Sequence, residues 1–198
     1  QGLDPSAAYT LHADQRAQGV PSHWMPYVSV KSADETAARA RTLGATVHKD
    51  PFDVMDNGRM SVIQDPTGGM FCVWQPNKTK GTGITREHGT AVWADLSTPD
   101  QAKAGKFYSD LFGWKMVGEQ MKPAATGEYF HIVNGKDMIG GIQPAEHRAP
   151  GQPAHWLLYY QVSDCDGTIA KVKSLGGRVI MPTTVMSARR SGPNPRAG

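Results

Sequence analysis

The sequence predicts an α+β fold built from repeated βαβββ modules, and three observations predict it. The segment His23-Trp24-Met25-Pro26-Tyr27-Val28-Ser29-Val30 returns as His155-Trp156-Leu157-Leu158-Tyr159-Tyr160-Gln161-Val162, 132 positions later (155 − 23). The landmarks after each copy return as well: Asp34, Thr36, Ala38, Leu43, Gly44 and Val47 become Asp166, Thr168, Ala170, Leu175, Gly176 and Val179. Each copy alternates along its first stretch, as a strand does, and then spaces its apolar residues as a helix does. Self-similarity at a fixed period is read before any local feature, because it sets the architecture.

Residues 1–21 hold Gly, Pro, Gln and Asp without an apolar period and read as a linker or tail, extended or loosely ordered. The first module spans 22–78. Its strand, 23–30, puts His23, Met25, Tyr27 and Ser29 on one face and Trp24, Val28 and Val30 on the other. Ser32 then caps a helix, with Glu35 completing a capping box. Ala33, Ala37, Ala40 and Leu43 follow at helical spacing, and Gly44 ends the run. Strands are expected at 46–48, 59–64 and 70–74, separated by a loop ending in Asn57-Gly58 and by the turn Asp65-Pro66-Thr67-Gly68-Gly69.

A polar connector at 79–88 precedes the second module, 89–145. Strand 90–97 leads into Thr98-Pro99-Asp100-Gln101, which reads as an N-cap, a first-turn proline and an acidic first turn. Phe107, Leu111 and Phe112 mark an amphipathic helix ending at Gly113. A strand at 114–117, a long loop at 119–127 and a hairpin of 129–134 with 138–142 about Asn134-Gly135 complete the module. After a linker at 146–153, the third module, 154–186, offers only βαβ. Its strand starts at His155, its cap is Ser163 or Asp164, its helix carries Ile169, Val172 and Leu175, and Val179-Ile180-Met181 is its second strand. Residues 187–198 are too polar and too rich in Pro and Gly for a buried strand pair and are expected to be disordered or loosely attached.

Composition excludes several classes. With 39% hydrophobic residues over 198, the chain can bury one large core or two small ones. A net charge of +3, on scattered Lys and Arg apart from Arg189, Arg190 and Arg196, argues against nucleic acid. No apolar run approaches the roughly 20 residues of a membrane span, and no basic-then-apolar signal opens the chain. The two cysteines, Cys72 and Cys165, form neither a metal-spaced pair nor a disulfide framework. A reducing, cytoplasmic setting is expected.

The βαβββ repeats, with Phe107-Tyr108-Ser109-Asp110-Leu111-Phe112-Gly113-Trp114 behind a Ser-Thr-Pro-Asp turn, resemble the glyoxalase/bleomycin-resistance/dioxygenase group, the vicinal oxygen chelate superfamily. Pro51-Phe52-Asp53-Val54-Met55-Asp56-Asn57-Gly58-Arg59 and Gln64-Asp65-Pro66-Thr67-Gly68 look like a multi-module branch of actinobacterial type. The resemblance covers about 21–182. It implies curved, open mixed sheets that pair into a cup holding a ligand. It also implies that metal-using members draw one ligand from the first strand of each module and a carboxylate from the last. Those positions fall on Met25, Trp93, Leu157 and Cys72, and the last strand of the second module, 138–142, has no carboxylate. A divalent site needs imidazole and carboxylate donors at about 2.0–2.2 Å, so no metal and no other cofactor is expected.

If positions 25, 93 and 157 face the cup, so do Tyr27, Ser29, Asp95, Ser97, Tyr159 and Gln161, joined by Tyr129, His131 and Cys72. Trp24, Val28, Val30, Val92, Leu96, Trp156, Leu158 and Val162 then face the helices and build the core. Aromatic rings with a few hydrogen-bonding tips suit a flat, partly polar small molecule. The candidate ligand-binding residues are therefore Met25, Tyr27, Cys72, Trp93, Asp95, Tyr129, His131, Leu157 and Tyr159. The blander alternative is that these rings only fill a closed barrel, and that Asp95 bonds Ser97 or Thr98 at a sheet end. A runner-up is a metal-dependent lyase, isomerase or dioxygenase using His23, Asp95, His131 and His155, although His23 and His155 also suit a structural role on backbone groups. A third alternative is a truncated product without activity, suggested by the change in character after Met186. Three modules in a fold that pairs them leave one unmatched, so a homodimer is expected.

Overall fold

A computed structural model describes residues 4–120 and 127–184. The chain divides into two compact units, residues 1–161 and 162–198.

The first unit holds two mixed sheets. In the first, β1 (Tyr27–Ser29), β2 (Thr46–Val54), β3 (Gly58–Gln64) and β4 (Met70–Pro76) lie in the order β1-β4-β3-β2, with β1 parallel to β4. Helix α2 (Ala33–Thr42) covers one face, and its buried Ala33, Ala37 and Ala40 join Ile63, Phe71 and Val73 in the core. Ser32 caps it by accepting from the Glu35 amide at 3.2 Å. A short helix, α1 (Ala13–Ala17), lies in the stretch read as a linker and buries none of its residues.

The second sheet runs β6-β7-β8-β5-β9, from β5 (Ala91–Ser97), β6 (Lys115–Gln120), β7 (Glu128–Asn134), β8 (Asp137–Ile142) and β9 (His155–Tyr160). Its helix, α3 (Gln101–Phe112), buries Ala104, Gly105, Phe107 and Tyr108. The helix is capped by Asp100, not by Thr98 as expected: the Asp100 carboxylate accepts from the Lys103 amide at 2.9 Å, and Thr98 Oγ1 accepts from the Asp100 amide at 3.2 Å. Proline 99 thus sits before the helix. Gly113 closes it in the left-handed region at φ 74.

The first strand of the third stretch, β9, pairs antiparallel with β5, bringing Asp95 opposite Leu157 and Leu96 opposite Trp156. The helix of that stretch, α4 (Cys165–Ser174), falls in the second unit, is capped by Asp164 and buries no residue. The strand expected at 179–181 is not formed. Ile180 and Met181 are exposed, and the residues equivalent to β3, which hold β2 in the first module, lie outside the described residues. The tail expected at 187–198 also lies outside them.

Between the sheets of the first unit sits an aromatic cluster centred on Tyr108, which has no exposed surface. Its ring stacks on Trp114 at 5.7 Å and meets Phe71 and Trp156 edge-on at 5.5 and 5.4 Å. Its hydroxyl donates to Asp65 Oδ2 at 2.8 Å and accepts from Trp156 Nε1 at 3.2 Å. Asp65 itself is 3% exposed, and its other oxygen accepts from the Thr67 amide and hydroxyl and the Gly69 amide. A buried carboxylate is tolerated only when its lone pairs are filled in this way. The network joins the β3–β4 turn, α3 and β9.

Two expectations fail at the start of the first module. Strand 23–30 shrinks to β1, and Trp24, expected in the core, is 50% exposed with its ring 5.3 Å from Tyr160. The cause is Pro26. Its carbonyl accepts from Cys72, but it has no N–H to continue a ladder. The equivalent position in the second copy is Leu158, and there β9 is complete.

Candidate functional site on the second sheet

Strand register fixes which side chains share a face. One line crosses the second sheet as Val117, His131, Gly141, Asp95 and Leu157. All five project to the side opposite Leu96, Ile132 and Ile142, which are buried in the core. Val117, Leu157 and Tyr159 are 48, 45 and 40% exposed, so this side is open.

Asp95 is the centre of that face and is 6% exposed. Its Oδ1 accepts from Tyr129 Oη at 2.6 Å and Trp93 Nε1 at 2.8 Å, and its Oδ2 from Gln143 Nε2 at 3.2 Å. Trp93 Nε1 also donates to Tyr129 Oη at 2.9 Å, and Gln143 Nε2 lies 3.5 Å from Tyr159 Oη. His131 presents its ring edge-on to Tyr129 at 5.0 Å and to Trp93 at 6.0 Å. Burial, and then the Asp95 carboxylate, raise both phenols, that of Tyr129 far above the ordinary range and that of Tyr159 to about 12. Both hydroxyls therefore keep their protons at neutral pH.

Gly141 makes this arrangement possible. A Cβ there would lie 1.8 Å from Tyr129 Oη, and one on Gly140 would lie 2.2 Å from the Ala94 carbonyl oxygen. The pair lets β8 pass close to β5 and leaves a slot for the Tyr129 hydroxyl.

Of the residues singled out from sequence, Trp93, Asp95, Tyr129, His131, Leu157 and Tyr159 lie together on this face. Asp95 bonds Trp93, Tyr129 and Gln143 rather than Ser97 or Thr98, the bland expectation for it. Met25, Tyr27 and Cys72 belong to the first module. Met25 precedes β1, and Tyr27 stands opposite Cys72 across the β1–β4 ladder. Tyr27 meets Trp74 edge-on at 6.4 Å, and Cys72 is 2% exposed. Burial pushes the Cys72 thiol up to about 12. Iodoacetamide at pH 8 is therefore expected to alkylate the exposed Cys165 and to leave Cys72 intact, as peptide mass spectrometry would read. Prompt labelling of Cys72 in the folded protein would contradict its burial.

The metal alternative asked His23, His131, His155 and Asp95 to converge. His23 Nδ1 sits 2.8 Å from the Pro21 carbonyl oxygen and His155 Nδ1 3.0 Å from that of Pro153. Each ring thus closes on its own backbone two residues upstream. Among the described residues, no group of three or more His, Cys, Asp or Glu side chains could hold an ion. Around Asp95 the donor set is one imidazole, two phenols, an indole and an amide, which does not fit a divalent site. No helix among the described residues is long and apolar enough to cross a membrane.

Gly141 and Gln143 escaped the sequence reading. The Gly140-Gly141 pair inside a strand was the available signal, since glycine there marks a close approach.

Comparison with known proteins places these observations. Residues 90–191 match the model of the Glyoxalase/Bleomycin resistance protein/Dioxygenase superfamily, and residues 4–74 match a glyoxalase-like domain. CFP32 of Mycobacterium bovis, provisionally named a glyoxylase, is 35% identical over 174 residues, covering 87% of this chain and 65% of that protein. The anthracycline biosynthesis protein DnrV of Streptomyces peucetius is 32% identical over 161 residues, covering 81% of this chain and 57% of that one. The chain thus spans less than two thirds of the length of these relatives. The Mn(II)-bound glyoxalase of Novosphingobium aromaticivorans superposes with a TM-score of 0.50 at 18% identity, over 76% of this chain and 50% of that one, a likeness of fold.

Proposed function

The chain belongs to the glyoxalase/bleomycin resistance protein/dioxygenase superfamily, and we propose that it binds a small, flat, partly polar molecule on the open face of its second sheet, without a metal of the superfamily kind. One observation carries this: a nearly buried Asp95 gathers Trp93, Tyr129 and Gln143, with Tyr159 beside Gln143, on the face of the second sheet turned away from the core. Filling a core would not need such a group. A carboxylate placed there costs several kcal/mol in desolvation and needs several charge-assisted hydrogen bonds, each contributing about 1.5–3 kcal/mol, to offset it. Its bonds hold a phenol and an indole in fixed positions, and Gln143 extends from it to the Tyr159 phenol, which is what a preformed aromatic binding surface requires.

The name of the Streptomyces relative makes an anthracycline-type ring system a sensible first ligand. Isothermal titration with a panel of planar aromatic compounds is expected to give saturable, one-to-one binding that Trp93→Ala weakens about tenfold or more. Silence across the panel would remove the proposal. Metal analysis of the purified protein separates the two classes of function. Less than a tenth of an equivalent of Mn, Fe, Ni or Zn is expected, and a full equivalent with a chelator-sensitive turnover would favour the enzyme instead.

A further inference from the structure

The polarity of the Asp95 cluster narrows the ligand. We infer that this face selects planar aromatic cations, or rings bearing hydrogen-bond donors, over anions of the same shape, an inference that rests on the binding face proposed above.

Three donors of the cluster turn inward. The Trp93 indole N–H, the Tyr129 hydroxyl and the Gln143 amide donate to Asp95, and the Tyr159 phenol lies close enough for the carboxylate to help raise its pKa. With those protons committed, what these groups offer an incoming molecule is phenolic oxygen lone pairs and ring faces. Tyr129 Oη accepts from Trp93 and keeps a second lone pair, and Gln143 Nε2 approaches Tyr159 Oη no closer than 3.5 Å. Both features favour a donor and oppose an acceptor.

The charge points the same way. Asp95 bears the formal negative charge at the middle of the face, and rings of Trp93, Tyr129, Tyr159 and His131 surround it. Aromatic faces attract cations, most of all next to a carboxylate. Lys115 stands on the same side two residues before Val117, on the edge strand β6. It is three strand spacings from Asp95, about 14 Å at about 4.8 Å each. That exceeds the screening length of about 8 Å at physiological salt, so Lys115 does not cancel the central charge.

The test uses the chain as it is and three planar tricyclic probes of matched size: proflavine, a cation; acridone, neutral; and anthraquinone sulfonate, an anion. Calorimetric titration at neutral pH is expected to show proflavine binding at least about tenfold more tightly than the sulfonate, equivalent to about 1.4 kcal/mol, with acridone between them. Asp95→Asn is expected to bring the cation-to-anion ratio close to one. Binding of all three with equal affinity, or tighter binding of the anion, would overturn the inference while leaving the binding face in place. Failure of all three to bind would overturn both.

Discussion

Tyr108→Ala is expected to cost roughly 4–8 kcal/mol of stability, or to prevent folding. Truncating a buried aromatic costs about 3–5 kcal/mol, and stranding a buried hydrogen-bonding partner adds about 1–3 kcal/mol. Tyr108 meets both conditions. It has no exposed surface, it stacks among Trp114, Phe112, Phe71 and Trp156, and it donates to the buried Asp65. Total stabilities of single domains are of the order of 5–15 kcal/mol, so the alanine variant can fall below the threshold for folding. Tyr108→Phe is the readable variant. It keeps the ring and removes the hydroxyl that Asp65 and Trp156 share, and urea denaturation should report a loss of about 1–3 kcal/mol. A loss below about 0.5 kcal/mol, the usual scale for a surface substitution, would mean that Asp65 is satisfied without Tyr108.

The same residue makes a pH prediction. Burial first, and then Asp65, hold the Tyr108 phenol well above its ordinary value of 10.0. An acid that keeps its proton more tightly in the folded state is fully stabilising below the unfolded pKa. Above it the unfolded chain releases the proton first, and stability is lost as pH rises towards the folded value. Stability should therefore be level up to about pH 10 and then fall by up to about 1.4 kcal/mol per unit from this group. Tyr108→Phe should make that descent shallower.

The sequence made the sheets and helices legible because their signals are local. The repeat, the Ser32 and Asp164 caps and the turn at Asp65 all act within a few residues. Alternation placed Trp93, Asp95, Leu157 and Tyr159 on one face, since a two-residue period survives in any regular strand. It failed at Trp24, because Pro26 interrupts the ladder and alternation says nothing outside a strand. Helix α3 began later than read, because Asp100 is the better-placed acceptor for the Lys103 amide. The hydrogen-bond partners were harder. Asp65 and Tyr108 are 43 positions apart and Asp95 and Gln143 are 48 apart, so only the packed chain shows that they meet. Which strand β9 would pair with was equally hidden, although β5 carries the equivalent strand of the neighbouring module. The candidate site was thus half legible: its rings came from periodicity, and the groups that hold them came from tertiary contacts.

Gly141→Ala is the second large effect, and it tests how the face is assembled. The added methyl would lie 1.8 Å from Tyr129 Oη and 2.1 Å from Tyr129 Cζ, far inside contact distance. Gly141 lies within β8, paired with both Asp95 and His131, so its backbone cannot move without disturbing two ladders. Tyr129 must give way instead, and its 2.6 Å bond to Asp95 breaks. Overpacking of this kind costs about 1–3 kcal/mol, and an unpaired side on Asp95 adds to it. Ligand binding should fall with it, since Tyr129 leaves the surface that a planar molecule would meet. A double-mutant cycle separates this clash from a general intolerance of side chains in β8. In a Tyr129→Ala background there is no hydroxyl to collide with, so Gly141→Ala should cost less than about 0.5 kcal/mol by denaturation. An equal cost in both backgrounds would show that the glycine serves the strand and not the tyrosine, and the slot at Tyr129 would lose its role in building the face.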